Sequence, residues 1–188
     1  RWSITGVDSN IGNFLIKKIK DFSETGYLVY SGSYLGNYFL ILTFPDVWQY
    51  ELFETYVPPY TTPNSTLRYT TDYEPYEGRK KYVEQTAGGF YACRLSILER
   101  LNQLRRQASV IALRFITDDY SIPLGVFVVR EAVRKTLDEK PLEFGSRELM
   151  LKYVEHFVRK KFNYDVNKIL RDSVLLDNIK TQTKLTAF

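Results

Sequence analysis

Hydrophobic and polar positions follow two periods along this chain, and the cleanest change between them falls within Gly88–Arg134. After Gly88 and Gly89, Leu95, Leu98, Leu101 and Leu104 recur every third residue with polar or charged residues between them. That spacing predicts an amphipathic helix from about Phe90 to Arg106. Ser109–Ile116 (SVIALRFI) is then apolar and partly β-branched and is bounded by Asp118 and Asp119, as expected of a mostly buried strand. Ser121-Ile-Pro-Leu-Gly125 reads as a turn, because Pro fixes φ and Gly tolerates a positive φ. A second apolar run, Val126–Val129, ends at Arg130 and Glu131 like another buried strand and leads into helical spacing over Arg130–Arg134. This stretch is expected to form the core on which the rest packs.

The flanking pattern is less sharp. Ile11–Phe22 predicts a helix with Phe14, Leu15, Ile19 and Phe22 on one face, Lys17, Lys18 and Lys20 on others, and Ser9 or Asn10 as its cap. Tyr27–Tyr30 and Asn37–Phe44 read as strands joined by the turn-rich segment 31–36, with Pro45 ending the second. Val47–Val57 (VWQYELFETYV) is compatible with helix or strand, and the pattern does not choose. Pro58–Asp72 reads as a long loop. After the break at Pro141, Ser146 can cap a helix running to about Phe162. Glu148 near its start and Arg159-Lys160-Lys161 near its end suit the macrodipole, while Met150, Val154 and Phe157 would face inward. Asp165–Ile179 predicts one more helix. The sum is an α+β domain over residues 1–180, a small mixed or antiparallel sheet flanked by helices, with a flexible tail over 181–188.

Composition supports one globular domain: 188 residues, 44% hydrophobic and 26% charged. The single cysteine, Cys93, excludes an internal disulfide and a cysteine-built metal site, and its apolar neighbours point to a small buried hydrophobe. No run of eighteen apolar residues is present to span a membrane. Net charge is +4, and its distribution is uneven. Residues 1–146 carry 17 Lys/Arg against 17 Asp/Glu, whereas residues 147–188 carry 9 against 5, so the excess lies in the last part of the chain and favours a polyanionic neighbour, although +4 is far below the charge density of a dedicated nucleic-acid binder. The chain opens on Arg1 without a secretory pattern, which raises the expectation of a C-terminal piece of a longer protein.

Familiar catalytic signatures such as GxSxG, HExxH, CxxC and a phosphate-binding Gly-rich loop are absent from the sequence. His156 stands alone on its helix, with no carboxylate or cysteine partner in view. Asp72, Glu74 and Glu77 fall within six residues and are followed by Arg79, Lys80 and Lys81. Such carboxylates can hold Mg²⁺ or Mn²⁺ in nucleases, and a solvated charged turn is the plainer account. Arg114 lies inside an apolar run, and Arg130 and Arg134 follow another. With Arg79 they form a candidate phosphate-binding set, the alternative being an Arg–Glu structural network.

The sharpest motif is Gln182-Thr-Lys-Leu185-Thr-Ala-Phe188. It matches the Gln-x-x-aliphatic-x-x-aromatic box (PIP motif) by which partners bind the DNA sliding clamp, PCNA. One turn of 3₁₀ helix would place Leu185 and Phe188 on one side as a two-pronged apolar plug, with Gln182 at the pocket rim. Boxes of this kind usually carry two adjacent aromatics, and here there is one. The alternative is a frayed tail with an incidental Phe.

The segments GNYFLILTFPDVW, DYEPYEGRKKY, GGFYACRLSILERL, RRQASVIALRFI and PLGVFVVREAVR, running from about Gly36 to Leu137, resemble the C-terminal half of the archaeal Nre family of DNA repair proteins. Members of that family often carry a cysteine-rich zinc-binding N-terminal region and end in a clamp-binding box. The resemblance implies a DNA damage repair role coupled to the replication clamp, in the cytoplasm with the nucleoid. It implies zinc only in a region that this chain lacks, and no settled enzymatic activity, so no catalytic residues are assigned. The expected partners are the sliding clamp, through Gln182, Leu185 and Phe188, and DNA. Two other readings stay open: a Mg²⁺- or Mn²⁺-dependent nuclease using Asp72, Glu74 and Glu77, and a non-catalytic protein-interaction scaffold.

Overall fold

The computed structural model describes residues 2–57, 68–120 and 125–181. Among them, six helices and six strands form an α+β fold around one mixed sheet. The helices are α1 (Trp2–Ile19), α2 (Ala87–Leu104), α3 (Val126–Asp138), α4 (Arg147–Phe162), α5 (Asn167–Leu170) and α6 (Val174–Thr181). The strands are β1 (Tyr27–Tyr34), β2 (Asn37–Phe44), β3 (Gln49–Tyr56), β4 (Tyr69–Glu74), β5 (Ser109–Ile116) and β6 (Leu142–Phe144), in the spatial order β4-β3-β5-β2-β1-β6. Every pairing is antiparallel except β3 with β5, whose connection runs through β4 and then α2.

The central strands β2, β3 and β5 are covered on both faces, which is why they read as continuous apolar runs. Alternation sends Phe39, Ile41, Tyr50, Leu52, Val110 and Ala112 toward α1, α2 and α3. Leu40, Leu42, Phe53, Ile111, Leu113 and Phe115 face α4, α5 and α6. Val47–Val57 is thereby settled as strand β3: its aromatic residues are read by two layers at once, so one-faced helical spacing was never imposed on them.

β1 extends further than its apolar residues indicate, because it pairs with β2 as far as Tyr34 opposite Asn37. The connection is a two-residue turn, Leu35-Gly36, with φ of +47° and +70°. Such turns match the right-handed twist of a hairpin. A Cβ on Gly36 would lie 2.3 Å from the Tyr120 backbone nitrogen, so glycine is required for space as well as for φ.

Four other expectations are corrected. α1 starts at Trp2, so Ser9 and Asn10 lie inside it and cap nothing, and Phe14 points outward while Leu15, Ile16 and Ile19 are buried. Val126–Val129 is the first turn of α3, where Val128 and Val129 face the sheet. Asp72 belongs to β4, with residues 58–67 of the expected loop outside the described residues, as are 121–124 of the expected turn. The single helix expected over Asp165–Ile179 is divided into α5 and α6 around Asp172 and Ser173. The short edge strand β6 was not anticipated, its exposed residues giving no alternation to read. α4 forms as expected: the Leu149 N–H donates to Ser146 Oγ at 3.3 Å, and Asn163 ends the helix in the left-handed region.

No described helix is long and apolar enough to cross a membrane.

Candidate functional site

Gln182, Leu185 and Phe188 lie outside the described residues, but the helix immediately before them is fixed in detail. Glu51, midway along β3, is almost fully buried and aims its carboxylate at the start of α6. It accepts from Ser173 Oγ (2.5 Å), the Val174 N–H (3.1 Å) and the Leu175 N–H (3.2 Å). Those amides are the orphan donors of a helix N-terminus, where a negative charge is also favoured by the macrodipole. Burial raises the Glu51 pKa above its ordinary value, although the bonds from Ser173, Leu175 and Val174 oppose the rise. One turn further, Asn178 Nδ2 donates to Tyr73 Oη (2.9 Å) and Gln49 Oε1 (3.2 Å), and Tyr73 Oη donates to the same Gln49 oxygen (2.6 Å). Tyr69 donates to Asp172, a bond that pushes the Tyr69 pKa up to about 12. With Leu175 and Leu176 buried against the sheet, α6 is held by both polar and apolar contacts. It runs through Thr181, so Lys180 and Thr181 belong to the helix.

The three clustered carboxylates are separated by the fold. Asp72 accepts from the backbone N–H groups of Glu84 (3.1 Å), Gln85 (3.0 Å) and Thr86 (2.7 Å) and from Thr86 Oγ1 (2.8 Å), which fixes the entry to α2. Burial pushes its pKa up, yet these four bonds outweigh it and hold the acid below its ordinary value. Glu74 is fully buried and pairs with Arg94 of α2 at 2.5 Å. Glu77 is exposed in the turn after β4. Among the described residues, no group of three or more His, Cys, Asp or Glu side chains is placed to hold a metal ion.

The four candidate arginines do not converge either. Arg114, near the end of β5, donates to Glu54 (2.5 Å) and, through Nε and Nη2, to Asn37 Oδ1 (2.9 and 2.5 Å). Arg130 pairs with Asp8 of α1 at 2.5 Å. Arg134 pairs with Glu99 at 3.0 Å and Glu131 at 3.1 Å. Arg79 donates to the carbonyls of Tyr73 (2.6 Å), Lys81 (3.4 Å) and Tyr82 (3.5 Å) and lies 3.8 Å from Asp72. Each guanidinium therefore already serves partners within the chain. The Cys93 thiol is buried beside Tyr50, and burial pushes its pKa up to about 12, which leaves it unreactive near neutral pH. His156 is exposed on α4.

Glu51, Glu54, Arg94, Asp8 and Asn37 were not singled out from sequence. The available signal was a charged residue interrupting an apolar run, as Glu51 interrupts Trp48–Phe53 and Arg94 interrupts Phe90–Leu98. Their partners lie elsewhere in the sequence, so the run alone cannot reveal them.

The family model described as archaeal Nre, C-terminal, matches residues 74–188, and the one described as archaeal Nre, N-terminal, matches residues 1–61. The second match widens the expected resemblance, which was to the C-terminal half alone. β1, β2 and β3 lie in the N-terminal match and β5 and β6 in the C-terminal one, yet they hydrogen-bond in a single sheet. The chain is 37% identical over 142 residues to DNA repair protein NreA of Haloferax volcanii, covering 73% of this chain and 34% of that protein. It is 34% identical over 186 residues to DNA repair protein NreB of Archaeoglobus fulgidus (97% and 46%), and 36% identical over 150 residues to NreA of the same organism (78% and 37%). The matched stretches thus span less than half the length of these relatives. No solved structure matches. With one family model matching more than half of the chain and the other its first 61 residues, the chain belongs to the archaeal Nre family.

Proposed function

We propose that this chain serves DNA repair, as the names of its NreA and NreB relatives state for those proteins, and that it is held at DNA by a sliding clamp through Gln182, Leu185 and Phe188. The observation that carries the tether is the position of the box, which begins at the residue after α6. Glu51, Asn178 and the apolar face of α6 hold that helix on β3 and β4, so the peptide leaves from a fixed point on a rigid layer. A fixed origin keeps the effective concentration of the repair domain at the clamp high once the plug is seated. The basic surface of α4 and the residues after it, with Lys152, Arg159, Lys160, Lys161, Lys168 and Arg171 exposed, supplies the side that faces phosphate.

The nuclease alternative finds no support in geometry. Asp72 and Glu74 would have to leave four hydrogen-bond donors and a buried arginine before either could bind Mg²⁺.

The test is titration calorimetry of the protein against a purified archaeal sliding clamp, with and without residues 182–188. Loss of measurable binding on removal of the seven residues is expected, and Leu185→Ala with Phe188→Ala should reproduce it. Unchanged affinity in the shortened protein would overturn the tether.

A further inference from the structure

Between the second half of β1 and the last two turns of α4 lies a cavity of ≈ 240 Å³ that the clamp tether leaves unused. Its origin is local. On this face the second half of β1 presents only Ser31 and Ser33, too small to meet α4 where Leu or Phe would close the layer. Aromatic rings form the floor and one wall: Phe162 packs against Tyr38 (centroids 5.5 Å apart) and stacks on Phe115 (4.6 Å), and Phe157 completes the lining. The Lys161 ammonium lies over the Tyr38 ring at 4.4 Å and 5.9 Å from the Phe157 ring, and the neighbouring Lys160 is exposed. Ser31 and Ser33 line the cavity on the β1 side. Because β6 pairs with β1 only at Tyr27–Val29, the rest of the β1 edge has a strand neighbour on one side only.

We propose that this slot receives one unstacked nucleobase of DNA. The base lies against Tyr38 and Phe157, and the serine hydroxyls and the β1 edge meet its polar rim. Lys161, on its flexible stem, swings from the ring face to the adjoining phosphate. Every base has a π face, so stacking of this kind binds single strands and extruded bases without reading sequence. The chemistry of the slot excludes other occupants unequally. A peptide strand added to β1 would find only Tyr30–Tyr34 free of β6, whereas a flat ring carrying a negative charge uses the aromatic wall, the hydroxyls and the lysine together. The choice of DNA as the source of the base rests on the repair function proposed above; the slot itself does not depend on the clamp tether.

Fluorescence anisotropy at low salt tests it with a labelled oligothymidylate, a duplex carrying one unpaired base, the fully paired duplex, and a free mononucleotide as competitor. The oligothymidylate and the unpaired-base duplex are expected to bind more tightly than the paired duplex, and the mononucleotide to compete weakly. Phe157→Ala and the slot-filling Ser33→Leu should each weaken binding by roughly tenfold, the scale of one lost base–aromatic stack. Lys161→Gln should weaken it less and lower the salt slope by about 0.7, one single-strand phosphate contact. Clamp affinity should stay near wild type, as should the melting temperatures of Ser33→Leu and Lys161→Gln. If Phe157→Ala does not fold, Ser33→Leu decides, since Ser33 is exposed. Absence of oligonucleotide binding with clamp binding intact overturns the slot and leaves the tether. Oligonucleotide binding undiminished in Ser33→Leu overturns the slot and leaves the repair function. A mononucleotide that binds as tightly as the oligomer overturns DNA as the source.

Discussion

The two faces of the sheet bury charge by different means. Under α1, α2 and α3 most are ion pairs, Glu74 with Arg94, Glu54 with Arg114 and Asp8 with Arg130, and Asp72 at the entry to α2 is the exception that meets backbone amides. Under α6 the buried carboxylate of Glu51 meets a hydroxyl and two backbone amides. The difference follows from what each helix offers. α2 lays its side along the sheet and brings a long cationic side chain into reach, while α6 points its N-terminus at β3 and brings unsatisfied N–H groups. An ion pair ties two side chains together, whereas the Glu51 cap ties a strand to the backbone of the helix that precedes the proposed clamp-binding box. The first arrangement fixes the core, and the second fixes the exit point of the chain.

The largest effect should come from breaking the most buried pair. Glu74 and Arg94 have side chains 0% and 2% exposed. Arg94→Leu leaves Glu74 in the interior without a cation and should cost about 3–5 kcal/mol in urea unfolding. Replacing both residues by apolar ones of similar size should recover most of the loss, because the pair itself contributes little against its desolvation. A double variant as unstable as Arg94→Leu alone would show that Arg94 acts instead through its bond to the Ser9 carbonyl and its packing against Gly12.

Glu51 and Asp72 sharpen the comparison through pH. Both accept from backbone N–H groups at or beside the start of a helix, yet their pKa values move in opposite directions. For Asp72, lowered when folded, the stabilisation is complete above the ordinary aspartate range and is lost as pH falls toward its folded value. For Glu51, raised when folded, the folded state holds the proton more tightly, so stability falls as pH rises from the ordinary glutamate range through the higher folded value. Asp72→Asn should therefore flatten the rising acid limb of a stability–pH profile, and Glu51→Gln should remove a falling segment at slightly higher pH. Each should also cost about 1–2 kcal/mol near neutrality through a weakened cap. In hydrogen exchange, Glu51→Gln should deprotect α6 first. Profiles that both change in the same direction would show that the two caps are electrostatically alike.

What the sequence revealed, and what it hid, follows the same division. α2, β5, the β1–β2 pair and α4 were legible from local signals: leucines at three-residue spacing, unbroken apolar runs closed by Pro45 or by Asp118 and Asp119, and the cap at Ser146. β3 was not, because Gln49, Glu51 and Glu54 interrupt its apolar residues and leave Trp48, Leu52 and Tyr56 in helical register as well, and the start of α1 was hidden by Ser9 and Asn10, which imitate a cap. The box at Gln182, Leu185 and Phe188 is visible because it is contiguous. The cap that anchors its helix joins Glu51 to Ser173, 122 positions apart, and the base slot joins β1 to α4. Residue types alone could not place either, since Ser31 and Ser33 acquire meaning only when α4 fails to fill the space above them.

The smallest effect isolates burial as the variable. Arg159 and Glu155 on α4 form the same kind of bond as Arg94 and Glu74, at 3.1 Å, but Arg159 is 59% exposed. Water already solvates both groups, so the pair gains little on forming and leaves little exposed to cost when broken. Arg159→Ala should lower stability by no more than about 0.5 kcal/mol, the scale of an i,i+4 helix pair, and that loss should shrink with added salt. Its exposed cation still faces the proposed DNA side, so the same substitution should reduce the salt dependence of oligonucleotide binding while leaving the fold almost untouched. A loss of several kcal/mol would mean that Arg159 holds the end of α4 through Asp165, which lies 3.9 Å away, and the contrast between buried and exposed pairs would then fail for α4.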